Sequence, residues 1–188
     1  MEEKEVSIED VKAARERIKQ HAVYTPCIKS ASISRITGSE LYIKMDCLQR
    51  CKAFKFRGAL SKISTLKPGS TICCASAGNH SQGCSLSAQL MGMKAIVYMP
   101  TSAPASKVAA TKHYGAEVRQ IGSNFDESNE QCQKDCKANP DWTFVPPFDC
   151  NEVIAGQGTI AMEIFEQVPD VDYLVVAVGG GGLCAGVW

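Results

Sequence analysis

From Thr71 to Val178 short apolar runs alternate with longer stretches of helical period, and this alternation leaves few folds open. Thr71–Ala75, Lys94–Met99, Glu117–Ile121, Thr143–Val145 and Tyr173–Val178 are short, rich in apolar or β-branched residues and bounded by turn residues, which predicts strands. Asn79–Met91, Ala103–Tyr114, Phe125–Lys137 and Glu152–Gln167 lie between them and predict helices; Gly92 and Gly115 close the first two. A helix between two strands brings the chain back to the end where the first strand began, so the strands run parallel. The predicted fold is α/β in three layers, with a parallel sheet covered by helices on both faces.

Upstream, Ser7 and Asp10 form a capping box for a helix whose stripe is Val11, Ala14 and Ile18. Tyr24-Thr25-Pro26 stops that helix. Leu41–Met45 predicts a strand after the turn Thr37-Gly38-Ser39, and Phe54–Leu66 a helix ended by Lys67-Pro68-Gly69.

With 188 residues, 45% of them hydrophobic, the chain can bury a core without staples. Twenty basic and twenty acidic residues cancel, so there is no electrostatic footprint for nucleic acid or an anionic membrane. The partner expected is a small molecule. No run approaches the roughly 20 apolar residues of a membrane helix, and the charged start, MEEKEVSIEDVKAARERIKQ, is no signal peptide. The expected location is the cytoplasm, where the 10 cysteines stay reduced. No CxxC occurs, and Cys47/Cys51 and Cys132/Cys136 each supply half a zinc site, so no metal site is expected.

Three segments carry chemistry. Ala53-Phe54-Lys55-Phe56-Arg57-Gly58-Ala59 sets Lys55 between two aromatic rings at a helix start. Apolar walls and a helix N-terminus both disfavour the ammonium form, which suits the amine to Schiff-base chemistry. The same residues also read as solvated charges, Lys55 and Arg57, on an amphipathic helix. Ser76-Ala77-Gly78-Asn79-His80 follows a strand and opens a helix, so its N–H groups can cradle a carboxylate; it also reads as a tight turn with Asn79 as N-cap. Gly179-Gly180-Gly181-Gly182 repeats the strand-to-helix placement with N–H groups exposed for a phosphate. Gly180, Gly182 and Ala185 fit the loose pattern G-x-G-x-x-A, but a phosphate monoester fits as well as a dinucleotide. An amine of lowered pKa, a carboxylate cradle and a phosphate cradle together describe pyridoxal 5'-phosphate chemistry on an amino acid.

On these residues the chain resembles the pyridoxal-phosphate enzymes of the tryptophan synthase β-like fold (fold type II). Within that group it is most similar to the serine/threonine dehydratases, with the serine racemases as close relatives. The likeness runs from about Val6 to Trp188. It is carried by Lys44-Met45-Asp46-Cys47-Leu48-Gln49, Phe54-Lys55-Phe56-Arg57-Gly58, Ser76-Ala77-Gly78-Asn79-His80, Val153-Ile154-Ala155-Gly156-Gln157-Gly158-Thr159 and Gly179-Gly180-Gly181-Gly182-Leu183. The resemblance implies that Lys55 holds the cofactor's aldehyde and acts as the base at the substrate Cα. It implies that Phe54 packs on the cofactor ring and that Asn79 hydrogen-bonds the ring's 3-hydroxyl. Gly179, Gly180, Gly181, Gly182 and Leu183 would bind its phosphate, and Ser76, Ala77, Gly78, Asn79 and His80 the substrate carboxylate. Asp46, Cys51 and Ala53 stand where the family more often has glutamate, threonine and serine; none removes a catalytic group.

Family chains continue past the glycine loop, so the resemblance implies a C-terminally truncated chain. Residues 1–46 would be the N-terminal segment of a large domain, 47–148 a complete small domain, and 149–188 the start of the rest of the large one. Homo-oligomers are usual in the family. The activity implied is deamination of L-threonine or L-serine to 2-oxobutanoate or pyruvate and ammonia by α,β-elimination. The alternatives are an inactive truncated fragment or paralogue, and a serine racemase. Against the racemase stands Ala77, where racemases carry a serine as the second acid/base.

Overall fold

The computed structural model describes residues 5–188, so the first four residues of the expected 1–46 segment lie outside it. Helix α1 (Ile8–Ile18) starts on the expected capping box: the Asp10 N–H donates to Ser7 Oγ at 3.3 Å and the Ser7 N–H to Asp10 Oδ2 at 2.9 Å. Its stripe of Val11, Ala14 and Ile18 is buried. Two strands, β1 (Cys27–Lys29) and β2 (Tyr42–Lys44), then form an antiparallel ribbon that pairs Cys27 with Lys44. Between them lies α2 (Ala31–Thr37), capped by Ser30 and ended by Gly38 at φ +70°. Only β2 was expected. The three residues of β1 are too few to show a period, and α2 buries no residue, so neither leaves an apolar pattern to read.

The main sheet is parallel throughout, with β3 (Thr71–Ala75), β4 (Lys94–Met99), β5 (Glu117–Gln120) and β6 (Trp142–Phe144) in the order β5-β4-β3-β6. Alternate residues supply its two faces. Ile72, Cys74, Ala95, Val97 and Met99 pack with Ala59 and Ile63 of α3 (Lys55–Ile63), Cys84 and Ala88 of α4 (Asn79–Leu90) and Val108 of α5 (Ala105–His113). Cys73, Ala75, Ile96 and Tyr98 pack with Cys132 of α6 (Phe125–Ala138). Burial on both faces is why these strands read as continuous apolar runs.

One predicted strand is absent. Residues 173–178 carry no strand pairing, and Tyr173 and Val175 are 88% and 99% exposed. Among the described residues no strand lies beside them. Apolar composition marks a segment fit for a sheet, but the ladder hydrogen bonds must come from a neighbour.

Two further helices, α7 (Asn151–Gln167) and α8 (Gly182–Val187), fix the frame. They meet their neighbours backbone against backbone. A Cβ on Gly156 would lie 2.7 Å from the Arg57 carbonyl oxygen and 2.7 Å from Gly58 Cα, so α7 sits directly on α3. A Cβ on Gly158 would lie 2.4 Å from the Gly186 oxygen, and one on Gly186 2.3 Å from the Ile154 oxygen, so α8 sits as closely on the next face of α7. Among the described residues no helix is long and apolar enough to cross a membrane.

Gly156→Ala should therefore overpack the α3–α7 contact and lower stability by about 1–3 kcal/mol, read as a lower midpoint in urea unfolding. An unchanged midpoint would mean that the two helices can part at no cost.

Candidate active site

Arg57 lies two residues past Lys55 on α3 and is fully buried, which excludes the solvated reading of this charge. Its Nε and Nη2 each donate to Asp46 at 2.8 Å, and Nη1 and Nη2 donate to Glu163 of α7 at 2.6 and 2.9 Å. Lys44 Nζ adds a 2.5 Å bond to Glu163, so two cations face two carboxylates. Burial alone would lower the Arg57 pKa; its hydrogen bonds to Asp46 and Glu163 outweigh this and hold the guanidinium charged. The sequence reading missed this role. The apolar neighbours Phe56 and Gly58–Leu60, all buried, are the signal that could have found it.

Lys55 is the first residue of α3. Its Nζ donates to the Pro147 carbonyl at 2.6 Å and lies 5.4 Å from the Phe54 ring centroid and 6.0 Å from that of Phe148. Burial lowers its pKa, against an opposing pull from Cys84. The half-buried amine between aromatic rings thus matches expectation, with one change of partner: Phe56 is fully buried in the core beside Leu60, and Phe148 supplies the second ring.

Ser76–His80 forms the turn from β3 into α4. The Ser76 N–H is used by the Tyr98 oxygen and the Gly78 N–H by Ser76 Oγ at 3.1 Å. Gly78, not Asn79, is the N-cap, which frees the exposed Asn79 side chain for a ligand. Ala77 packs against the sheet core. His80 is buried, and its Nε2 lies 3.0 Å from the Val145 oxygen.

Gly179–Leu183 forms the entry to α8, with Gly181 at φ +86° as its N-cap. Space and packing alternate here. A Cβ on Gly180 or Gly182 would strike Phe148 at 2.3 and 2.7 Å, while one on Gly179 or Gly181 would meet nothing within 4 Å.

The segment Val145–Phe148 joins all three pieces. Val145 touches His80, Pro147 accepts from Lys55, and Phe148 fills the space over Gly180 and Gly182. It was not among the expected site residues. Its signal was Pro146-Pro147: two residues without N–H groups cannot extend β6, so their carbonyls are left for side chains.

A lysine amine of lowered pKa, a glycine loop and a strand-to-helix turn thus meet around Val145–Phe148 beside a parallel sheet, an arrangement suited to an aldehyde cofactor and an anion. A family model described as "Pyridoxal-phosphate dependent enzyme" matches residues 18–188, and the chain belongs to that family. It is 43% identical over 185 residues to L-threonine ammonia-lyase of Thermotoga maritima, covering 97% of this chain and 46% of the relative. It is 40% identical over 181 residues to the serine racemase of Schizosaccharomyces pombe, covering 95% and 56%. The solved structure of the processed form of threonine deaminase isoform 2 from Solanum lycopersicum superposes with a TM-score of 0.91 at 36% identity, covering 95% of this chain and 49% of that one. The chain spans about half the length of the curated relatives it matches.

The residues present fit pyridoxal phosphate. Lys55 offers an amine already biased towards its neutral form, and Gly179 and Gly181 leave open the space that side chains would fill.

Because the Lys55 pKa lies below its ordinary 10.5, the neutral, reactive amine persists to lower pH than at a solvated lysine. Reaction with pyridoxal phosphate followed by borohydride trapping should mark Lys55 ahead of the other lysines, with a pH midpoint below 10.5. Peptide mapping that finds the label spread over surface lysines would refute the assignment.

Proposed function

We propose that this family member deaminates L-threonine or L-serine by α,β-elimination, giving 2-oxobutanoate or pyruvate and ammonia. The observation that supports it best is the Val145–Phe148 segment, which brings the lysine, the Ser76–His80 turn and the glycine loop to one place. Pyridoxal phosphate, when bound, serves as the electron sink for the Cα carbanion. Lys55 Nζ takes the Cα proton; burial favours the neutral amine this requires. The turn Ser76–His80 binds the substrate carboxylate with N–H groups at the start of α4, which have no acceptor within the helix. Asn79 is exposed at that turn, and its side chain would hydrogen-bond the cofactor's ring oxygen. Gly179–Leu183 would hold the phosphate, and Phe54 would pack beside the ring. Water leaves with the β-hydroxyl and is returned when the product is hydrolysed to the keto acid, so the balance is loss of ammonia alone. We place residues 47–148 in the smaller of two domains, and expect a cytoplasmic homo-oligomer.

Ala77 separates this reading from racemisation. Proton return on the face opposite Lys55 needs a donor within about 3 Å of Cα or through one water, and alanine carries no such proton. Purified protein with added pyridoxal phosphate should release ammonia and 2-oxobutanoate from L-threonine, with little D-serine from L-serine. Lys55→Ala should abolish the release. Ala77→Ser should add serine racemisation and keep elimination within about tenfold, roughly 1.4 kcal/mol of barrier. D-Serine formed by the parent as fast as pyruvate would overturn the assignment, and so would cofactor capture on Lys55 with no product.

A further inference from the structure

We propose that Cys74, His80 and Cys84 form a buried site for a soft divalent metal ion. Their sulfur and ring-nitrogen atoms all lie within 4.8 Å of one another, and all three residues are buried: Cys74 and Cys84 fully, His80 to 4% exposure. Sequence spacing pointed only to Cys47/Cys51 and Cys132/Cys136. The fold instead places His80 and Cys84 one turn apart on α4 and brings Cys74 to them from β3.

Three observations carry the site. Cys84 Sγ lies 3.4 Å from His80 Nε2 and 3.8 Å from Nδ1. Zinc bonds of about 2.3 Å to sulfur and 2.0–2.1 Å to nitrogen place two tetrahedral ligands about 3.6 Å apart, so the present spacing needs little movement. Next, His80 Nε2 faces the Val145 oxygen at 3.0 Å. A carbonyl can only accept, so Nε2 carries the proton, and the lone pair a ligand needs is left on Nδ1, 3.8 Å from the Cys84 sulfur. A backbone carbonyl behind a ligating histidine is the usual support of such a ligand. Charge gives the last. Two thiolates and a neutral imidazole cancel a divalent ion, leaving no net charge in an apolar core; Lys55 and the thiol of Cys73 also act on this cluster from nearby elements.

The ligands bracket the Ser76–Asn79 turn on both sides. A bound ion would tie β3 to the first two turns of α4 and fix that turn between them.

The test is cobalt(II) titration of the reduced protein without oxygen. One equivalent should give near-ultraviolet thiolate-to-cobalt charge transfer and the intense visible bands of tetrahedral cobalt, both removed by zinc. Outer-shell partners of metal ligands are worth about 10–100-fold in affinity, so Cys84→Ala and Cys74→Ala should weaken binding at least ~100-fold. Cys132→Ala, on the opposite face of the sheet, should bind as the parent does. Should either alanine variant fail to fold, alkylation of the parent reads the same site: zinc should protect Cys74 and Cys84 among the 10 cysteines. Cobalt spectra without thiolate charge transfer, protection of other cysteines, a Cys74–Cys84 disulfide in place of metal uptake, or undiminished binding by Cys84→Ala would each overturn the proposal. Loss of elimination activity alone would not bear on it.

Discussion

Everything that positions the site hangs on the backbone contact of α7 with α3 and α8. Gly156 lies against the Arg57 carbonyl and Gly58 Cα of α3, and Gly158 and Gly186 bring α7 and α8 equally close. Lys55 begins α3 and the glycine loop leads into α8, so both are placed relative to one helix. Packed helices with side chains between them can shift as those side chains change rotamer; helices in backbone contact cannot. The Arg57 network acts on the same α3–α7 pair. Arg57 belongs to α3, Glu163 to α7 and Asp46 to the segment after β2. Burying those charges costs much of what their attraction returns, so the network is better understood as fixing how the three segments fit together than as a source of stability. Glycine contacts set how close the helices come, and the ion network sets which residues face each other.

The Val145–Phe148 segment turns that frame into a site. Its two prolines end β6 and cannot donate, so the strand cannot run on beside β3. The carbonyl of Pro147 is left to hold the Lys55 amine, and the Phe148 ring fills the hollow above two glycines. The cysteine–histidine cluster meets the same segment through the Val145 oxygen.

Legibility followed the range of each interaction. β3 and β4 run as the sequence predicts, residue for residue, because both are buried on two faces and bounded by turn residues. The Ser7–Asp10 capping box is wholly local and was equally readable. Lys55, Ser76–His80 and Gly179–Leu183 could be picked out because each sits where an element begins, a place marked in sequence. Phe148 in place of Phe56 could not, since it depends on which residue the fold brings across. Arg57 looked like any surface cation, for its partners lie 11 and 106 residues away. The Cys74–His80–Cys84 trio was hidden likewise, because strand and helix contribute together and no single spacing describes it. For Tyr173–Val178 the sequence indicates apolar character; pairing needs a neighbouring strand.

The three helix starts at this site share one electrostatic consequence. α3 begins at Lys55, α4 at Asn79 and the short α8 at Gly182, and each beginning touches the Val145–Phe148 segment or lies next to a residue that does. A helix start carries partial positive charge from N–H groups that have no acceptor within the helix. Three of them around one space disfavour an ammonium and favour anions. Burial lowers the Lys55 pKa. The arrangement that disfavours an ammonium at Lys55 is therefore also one that would favour a phosphate and a carboxylate beside it. An isolated lysine in an apolar pocket would meet the first need and repel the second, because a dry pocket disfavours every charge alike.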